Sequence, residues 1–580
     1  MSSSATHANG DGGDGGNHAN GNGSNGKSTL DDRTVPPMGM TGQQFLEAAT
    51  SVVNEIEQYY TNLASRPVLP SVAPGYIRKL LPETPPEDGE SWQDIEKDID
   101  RTIMPGMTHW QHPKFMAFFP ATSTYPGILG EMWSAALTAP AFNWICAPAV
   151  TELETVVMDW MAQILALAPR FHSKGTGGGV IHGSASEAIL TVMIAARERY
   201  VRRQLARENI TDPEEIEDRS CELRSTLVVL ASDQAHSSSR KSANMAGSRF
   251  RSIATRHEDA YALKGPDLRR KIEELERKGL HPYYLTVCIG STSVCAVDDF
   301  ESIASVAKDY PDIWIHVDAA YAGAALVLPE YQHLSSQIAF VNSFNINMHK
   351  WLLTNFDATI LYVQKRRDLT DAMSITPSYL RNQFSDSGQV TDYRDWQIPL
   401  GRRFRSLKIW FIIRTWGVAG LRNHIRHHIS LGKLFANLVR SRSDLFSILT
   451  PPDFALTVIT VNPYMWQDFR LAHGAVAGAD PRPYQDSQML VDPWTSAGEL
   501  ERANKITEEV YELINQGKDF YLTSTVVGGV YAIRVVSANP LAEEKYVRQV
   551  FDVLVSTTEE VMAKHWNAGD VKMERKDSRV

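Results

Sequence analysis

The chain has 580 residues, 43% hydrophobic and 22% charged, a globular composition long enough for two or three domains. A formal net charge of −10 leaves no basic field for nucleic acid, so an anionic ligand must be held locally by backbone and short side chains. Cys146, Cys221, Cys288 and Cys295 are scattered, without disulfide or metal-ligand spacing, so a reducing cytoplasm and no bound metal are expected.

The first 32 or so residues are mostly Gly, Asn, Ser and His, which cannot bury an apolar face, so residues 1–34 are expected to be a disordered tail. This tail has neither the apolar core of a secretory signal nor the arginines of a transit peptide, and no later run of about 18 apolar residues predicts a membrane span. From Thr41 the pattern is helical, with Phe45, Ala48, Val52, Val53, Ile56 and Tyr60 near one stripe, and residues 35–125 are expected to form an N-terminal helical layer. Over residues 126–425 helical stretches alternate with short apolar strands. That is the pattern of an α/β domain with a mostly parallel sheet covered on both faces. Within it, the acidic residues 212–218 read as a solvated connection. Residues 426–580 predict a smaller α+β domain, with strands at 456–461 and 531–536 and helices at 497–516 and 543–565. Residues 474–490 are a polar insertion.

Four segments carry chemistry. In the first, residues 177–188, glycines and a short apolar strand lead into a helical run, where free N–H groups with Ser184 and Ser186 make an anion seat suited to phosphate. The second places His236 just after the strand 226–231, where an imidazole can stack on a flat ring. In the third, the β-rich run from Ile313 ends in Asp318 and then very small residues. An aspartate at the carboxyl end of a parallel strand faces the ligand crevice and can pair with a protonated pyridine nitrogen. The fourth is His349-Lys350-Trp351, after an apolar run, 338–341, that reads as a buried strand. Lys350 can there form a Schiff base with the aldehyde of pyridoxal phosphate, provided the pocket keeps its amine partly neutral. Each segment alone has a plainer reading, as a capped turn, a loop imidazole, a capping aspartate or a solvated lysine. Their order along the chain, each at a strand end, points to one pyridoxal phosphate site.

From about residue 70 to about 439 the motifs are dense. They include His109-Trp110-Gln111-His112-Pro113, Thr151-Glu152-Leu153-Glu154, His316-Val317-Asp318-Ala319-Ala320-Tyr321 and Trp396-Gln397-Ile398-Pro399-Leu400-Gly401-Arg402-Arg403. With them the chain resembles the aromatic-L-amino-acid decarboxylases, group II pyridoxal phosphate enzymes of the type I aminotransferase fold. The resemblance implies that Lys350 holds the cofactor covalently, His236 stacks over its ring, Asp318 pairs with the pyridine nitrogen and Ala320 packs beneath. It also implies Thr292 near the ring hydroxyl, Ala185, Ser186 and Asn347 at the phosphate, His349 beside the lysine, and Leu400 with Gly401 at the cofactor. A homodimer with active sites shared between subunits is implied as well. Arg402, Arg403 and Arg405 read as phosphate-proximal, dimer-interface residues rather than a nucleic-acid patch.

Reaction type turns on Tyr379, which opens a polar stretch running through Ser385 and Gly388 that reads as a mobile loop. By resemblance its hydroxyl protonates the carbon left when carbon dioxide departs, whereas related aldehyde synthases carry phenylalanine there and admit oxygen. Decarboxylation to the amine is therefore expected, with an aromatic acetaldehyde synthase, a decarboxylase of acidic amino acids and an inactive scaffold as alternatives. The comparison puts Trp110, Phe118, Pro120, Pro140, Phe142 and Gly401 around the substrate side chain. These apolar walls suit an indole or phenol ring, and the glycine leaves room for tryptophan or 5-hydroxytryptophan, with DOPA and tyrosine open. Ala121 and Met348 depart from the family pattern, which carries threonine and proline there.

Overall fold

The computed structural model describes residues 38–375, 380, 382–386, 390–463 and 497–567; the expected tail, Tyr379 and the 474–490 insertion lie outside them. The chain divides into two compact units, Met1–Thr61 and Asn62–Val580. In the first, the expected helix spans Gly42–Thr61 and exposes Phe45, Leu46 and Val53.

The second unit contains a seven-stranded sheet of β1 (Gly178–His182), β2 (Leu227–Ser232), β3 (Arg249–Ile253), β4 (His281–Cys288), β5 (Trp314–Asp318), β6 (Ser343–Asn347) and β7 (Thr359–Val363). Their order is β1-β7-β6-β5-β4-β2-β3. Only β7 runs antiparallel to its neighbours. Successive residues of a strand enter different cores: Val228 and Leu230 pack with Met158 and Met161 of the helix Pro148–Ile164, while Val229 packs with Ile189 and Val192 of the helix Ala185–Glu208. Burial on both faces explains why these strands read as continuous apolar runs. The expected α/β fold is the one observed.

A second sheet, antiparallel throughout, orders β10 (Thr523–Val527), β11 (Val530–Val536), β9 (Leu456–Val461) and β8 (Phe446–Ile448). The helices Ala497–Gln516 and Glu544–Asn567 bury Ile506, Val510, Val547 and Val550 in the core of this sheet.

Two expectations are corrected. Residues 338–341 are not a strand: Ile338–Phe340 is a 3-10 turn continuing the helix Gln332–Gln337, and the strand is β6, five residues further on. The acidic residues 212–218 are helical, because Asp212 caps Pro213–Thr226 by accepting from the N–H groups of Glu214 and Glu215 at 3.0 Å each. Their acids sit at the positive end of that helix. No helix among the described residues is long and apolar enough to cross a membrane.

Candidate active site

The candidate residues gather at the carboxyl ends of the central strands. Asp318 ends β5, Asn347 ends β6, and the chain then turns into Met348–Trp351, which carries His349 and Lys350. Lys350 keeps a partly exposed side chain. Its desolvated surroundings hold its pKa below the ordinary lysine value, against the pull of the Asp318 carboxylate. A depressed pKa gives the neutral amine that attack on an aldehyde requires.

The amine lies 5.5 Å from the centroid of the Phe119 ring, and the Arg534 guanidinium lies 5.0 Å from the same ring. Phe119 stacks on Tyr321 at 3.9 Å, and Tyr321 on Trp351 at 4.7 Å. Sequence reading singled out Phe118 and Pro120 on either side of Phe119 but missed Phe119 itself. The segment is tied to the lysine turn: Thr122 donates from its N–H to the His349 carbonyl at 2.7 Å and from its hydroxyl to the Thr354 carbonyl at 2.8 Å. Ala121, one of the departures from the family pattern, gives its carbonyl to Gln111.

Both histidines are poised to be neutral. His349 accepts the Ala358 N–H on Nδ1 at 2.9 Å, and burial, then Lys350, pulls its pKa down to about 4. His236 accepts the Ser238 N–H on Nδ1 at 3.2 Å, and burial lowers its pKa against the opposing Asp318 charge. A neutral imidazole adds no cation next to Lys350 and can lie against a flat ring.

The glycine-rich segment leads from β1 into a capped helix start, as expected. Ser184 caps Ala185–Glu208 by accepting the Glu187 N–H at 3.2 Å, and Gly183 donates to Glu187 at 3.0 Å. The N–H groups of Ala185 and Ser186, in the first turn, have no protein acceptor among the described residues. Asn347 accepts the Thr359 hydroxyl at 2.8 Å, and its N–H meets the Ala320 carbonyl at 3.0 Å. Thr292 sits on the turn after β4, beside Ser293, whose carbonyl accepts from Arg534 Nε at 3.0 Å.

Arg534, on β11, was not anticipated as a site residue. It is buried, with Nη1 on the Thr523 hydroxyl at 3.0 Å and Nη2 without a partner among the described residues. An open donor on a buried cation is an anion site in waiting. Arg402, Arg403 and Arg405, by contrast, are engaged within the chain. Arg402 pairs with buried Glu154, Arg403 with Glu131, and Arg405 with Asp357 at 3.1 Å.

The residues assigned to the substrate fall into two groups. Trp110 stacks on Phe118 at 5.6 Å, and Phe118 meets Tyr521 edge-on at 5.8 Å; Pro120 is buried just beyond. Pro140 accepts the Arg402 N–H at 2.7 Å, which brings Pro140 and Phe142 to Leu400 and Gly401. A Cβ placed on Gly401 would meet nothing within 4 Å.

A desolvated amine near a strand-end aspartate, neutral imidazoles and two first-turn N–H groups without a protein acceptor among the described residues fit an aldehyde-bearing, phosphate-bearing pyridine. Comparison with known proteins agrees. Residues 74–461 match the family described as the pyridoxal-dependent decarboxylase conserved domain. The chain is 38% identical over 524 residues to a phenylacetaldehyde synthase of Rosa hybrid cultivar, covering 90% of this chain and 95% of that one. It is 39% identical over 526 residues to an aromatic-L-amino-acid decarboxylase of Catharanthus roseus, covering 90% and 95%. The crystal structure of Oryza sativa TDC with PLP and tryptamine superposes with a TM-score of 0.79 at 35% identity, covering 90% of this chain and 99% of that one. The chain belongs to the pyridoxal-dependent decarboxylase family, and pyridoxal phosphate is its cofactor.

Proposed function

We propose that this chain decarboxylates aromatic L-amino acids to their amines, as a cytoplasmic homodimer, with Lys350, Asp318, His236 and Tyr379 as its catalytic residues. The observation that carries the reading is the depressed Lys350 amine facing Asp318 at the strand ends. Bound pyridoxal phosphate supplies the electron sink for the bond that breaks at Cα.

The protein does the rest. Lys350 would hold the cofactor through its aldehyde. Asp318 has no donor on Oδ2 among the described residues, which leaves that oxygen for the pyridine N–H. Ala185, Ser186 and Asn347 would receive the phosphate, Thr292 the ring hydroxyl, and Ala320 and His236 the ring, with His349 and Leu400 alongside. Arg534 draws the α-carboxylate of the amino acid into the cleft. Trp110, Phe118, Pro120, Pro140 and Phe142 wall the aromatic side chain, with space left at Gly401. Tyr379 gives the proton to Cα after carbon dioxide leaves. Exposed Leu129, Trp133, Leu137, Ile398 and Leu400 supply the apolar surface that a second copy covers. Four free cysteines suit a reducing compartment.

The test is borohydride reduction of the holoenzyme, which should fix the cofactor on Lys350, followed by a panel of tryptophan, 5-hydroxytryptophan, DOPA, tyrosine and phenylalanine. Label on another residue, or no amine from any of the panel, overturns the proposal. The second reading, an aldehyde synthase, is favoured by the 38% identity to a protein of that name. Aldehyde and hydrogen peroxide in place of amine would establish it.

A further inference from the structure

Beneath Asp318 runs a buried polar row that the catalytic reading does not use. Trp314, His316 and Asp318 alternate along one face of β5, and Ser343 and Asn345 along β6, with His316 opposite Ser343 and Asp318 opposite Asn345. All five side chains are buried. Trp314 Nε1 meets the Ser343 hydroxyl at 2.7 Å, that hydroxyl meets His316 Nδ1 at 2.8 Å, and His316 Nε2 meets Asn345 Oδ1 at 2.7 Å. Asn345 Nδ2 then reaches Asp318 Oδ1 at 3.5 Å, where the Ala320 N–H also arrives at 3.1 Å.

The two ends set the direction of every link. An indole N–H only donates and a carboxylate only accepts. Asn345 must therefore turn its amide nitrogen to Asp318 and its oxygen to His316, so His316 carries its proton on Nε2. Its bare Nδ1 then accepts from Ser343, whose oxygen accepts from Trp314. Burial keeps His316 neutral, with a pKa of about 4, which leaves the Asp318 carboxylate as the single charge on the row.

We infer that Asn345 and His316 are positioning residues for Asp318: a one-way hydrogen-bond chain from Trp314 occupies one carboxylate oxygen and so presents the other to the pyridine nitrogen. Aligned links polarise one another in a low-dielectric interior, and partners one step behind a binding group commonly govern its affinity. The inference rests on the proposed pairing of Asp318 with the pyridine ring.

The experiment compares reconstituted holoenzymes of Asn345→Leu, Ser343→Ala and Asp318→Asn with the parent. Asn345→Leu keeps the forked shape of the side chain and removes the donor; Ser343→Ala deletes one hydroxyl three links from Asp318 and serves if the leucine variant does not fold. We expect Asn345→Leu to raise the dissociation constant of pyridoxal phosphate about tenfold, shift the visible band of the bound cofactor and lower kcat with KM nearly unchanged. Ser343→Ala should move all three in the same direction by less. A purely structural role would lower Tm and leave the band of the loaded protein in place, and that result overturns the inference. If Asp318→Asn moves the band and the other two variants do not, the chain fails while the Asp318 assignment stands. If no variant moves it, both fail.

Discussion

Asp318 and Lys350 are held at the ends of buried strands, one by a row of interior hydrogen bonds and the other by a turn tied to Thr122. Two of the residues assigned to the substrate side chain are held quite differently: Trp110 and Phe118 are 37% and 43% exposed and lean on one another. The difference separates two kinds of specification. Strand-end groups are coupled to the core, so changing them disturbs buried partners as well. Loop side chains carry little folding energy and can vary with substrate. A synthase and a decarboxylase standing at 38% and 39% identity to one chain are consistent with that division.

The comparison breaks most sharply at Lys350. Lys350→Ala should fold, since a desolvated amine that its surroundings disfavour as a cation is removed, and should lose turnover completely; steady-state activity near the parental value would refute the site. At Tyr379 the expected change is one of product. Tyr379→Phe keeps the ring and removes the hydroxyl, so amine formation should fall on the order of 10²- to 10⁴-fold, the usual worth of a positioned acid. Aldehyde and peroxide should appear in an oxygen-dependent way, measured together with and without dissolved oxygen. Parental amine without peroxide removes Tyr379 from the mechanism.

Arg534→Gln probes the cation on the second sheet. Losing a hydrogen bond to a charged group costs about 1.5–3 kcal/mol, so KM for the amino acid should rise roughly 10- to 100-fold, with kcat changing less. An unmoved KM means that the carboxylate is held elsewhere.

Acid sensitivity sharpens the contrast from the side of the core. His316, His349 and His424 are each pulled by burial down to about 4. The unfolded chain, with ordinary histidines near 6.5, binds more protons between those values. Stability is therefore full above about pH 6.5 and is lost as pH falls towards 4, by about 1.4 kcal/mol per pH unit for each histidine. Denaturant midpoints across that window give the slope, and a flat profile would mean that these imidazoles are not buried. The smallest effect is expected at Gly401. Because a Cβ there meets nothing within 4 Å, Gly401→Ser should leave Tm unchanged. If a bound indole or the partner subunit closes on that position, preference should shift from tryptophan towards tyrosine by about 1–3 kcal/mol in relative kcat/KM. Unchanged preference would remove Gly401 from the pocket.

Local pattern was enough wherever one segment satisfies its own needs. The strand 456–461 and the helix 497–516 were legible to the residue, because each shows its own apolar period. The strand-end positions of Ser184, Asp318 and Lys350 were legible in the same way. What failed locally was satisfied laterally. Ser343-Phe344-Asn345-Ile346-Asn347 looks too polar for a buried strand until β5 supplies His316 and Trp314 to its side chains, whereas 338–341 looks like a strand only because its apolar residues cap a helical turn. Arg534 enters the site 184 residues after Lys350, from another sheet, and Phe119 is distinguished from its neighbours only by the rings stacked on it. Thus the sequence determined the fold class and the cofactor, and offered candidates for the residues that hold it, since those depend on apolar period and short motifs at strand ends. Only the tertiary structure decided which proton each buried group carries and which cation faces the lysine, because those depend on partners that the chain brings together from far apart.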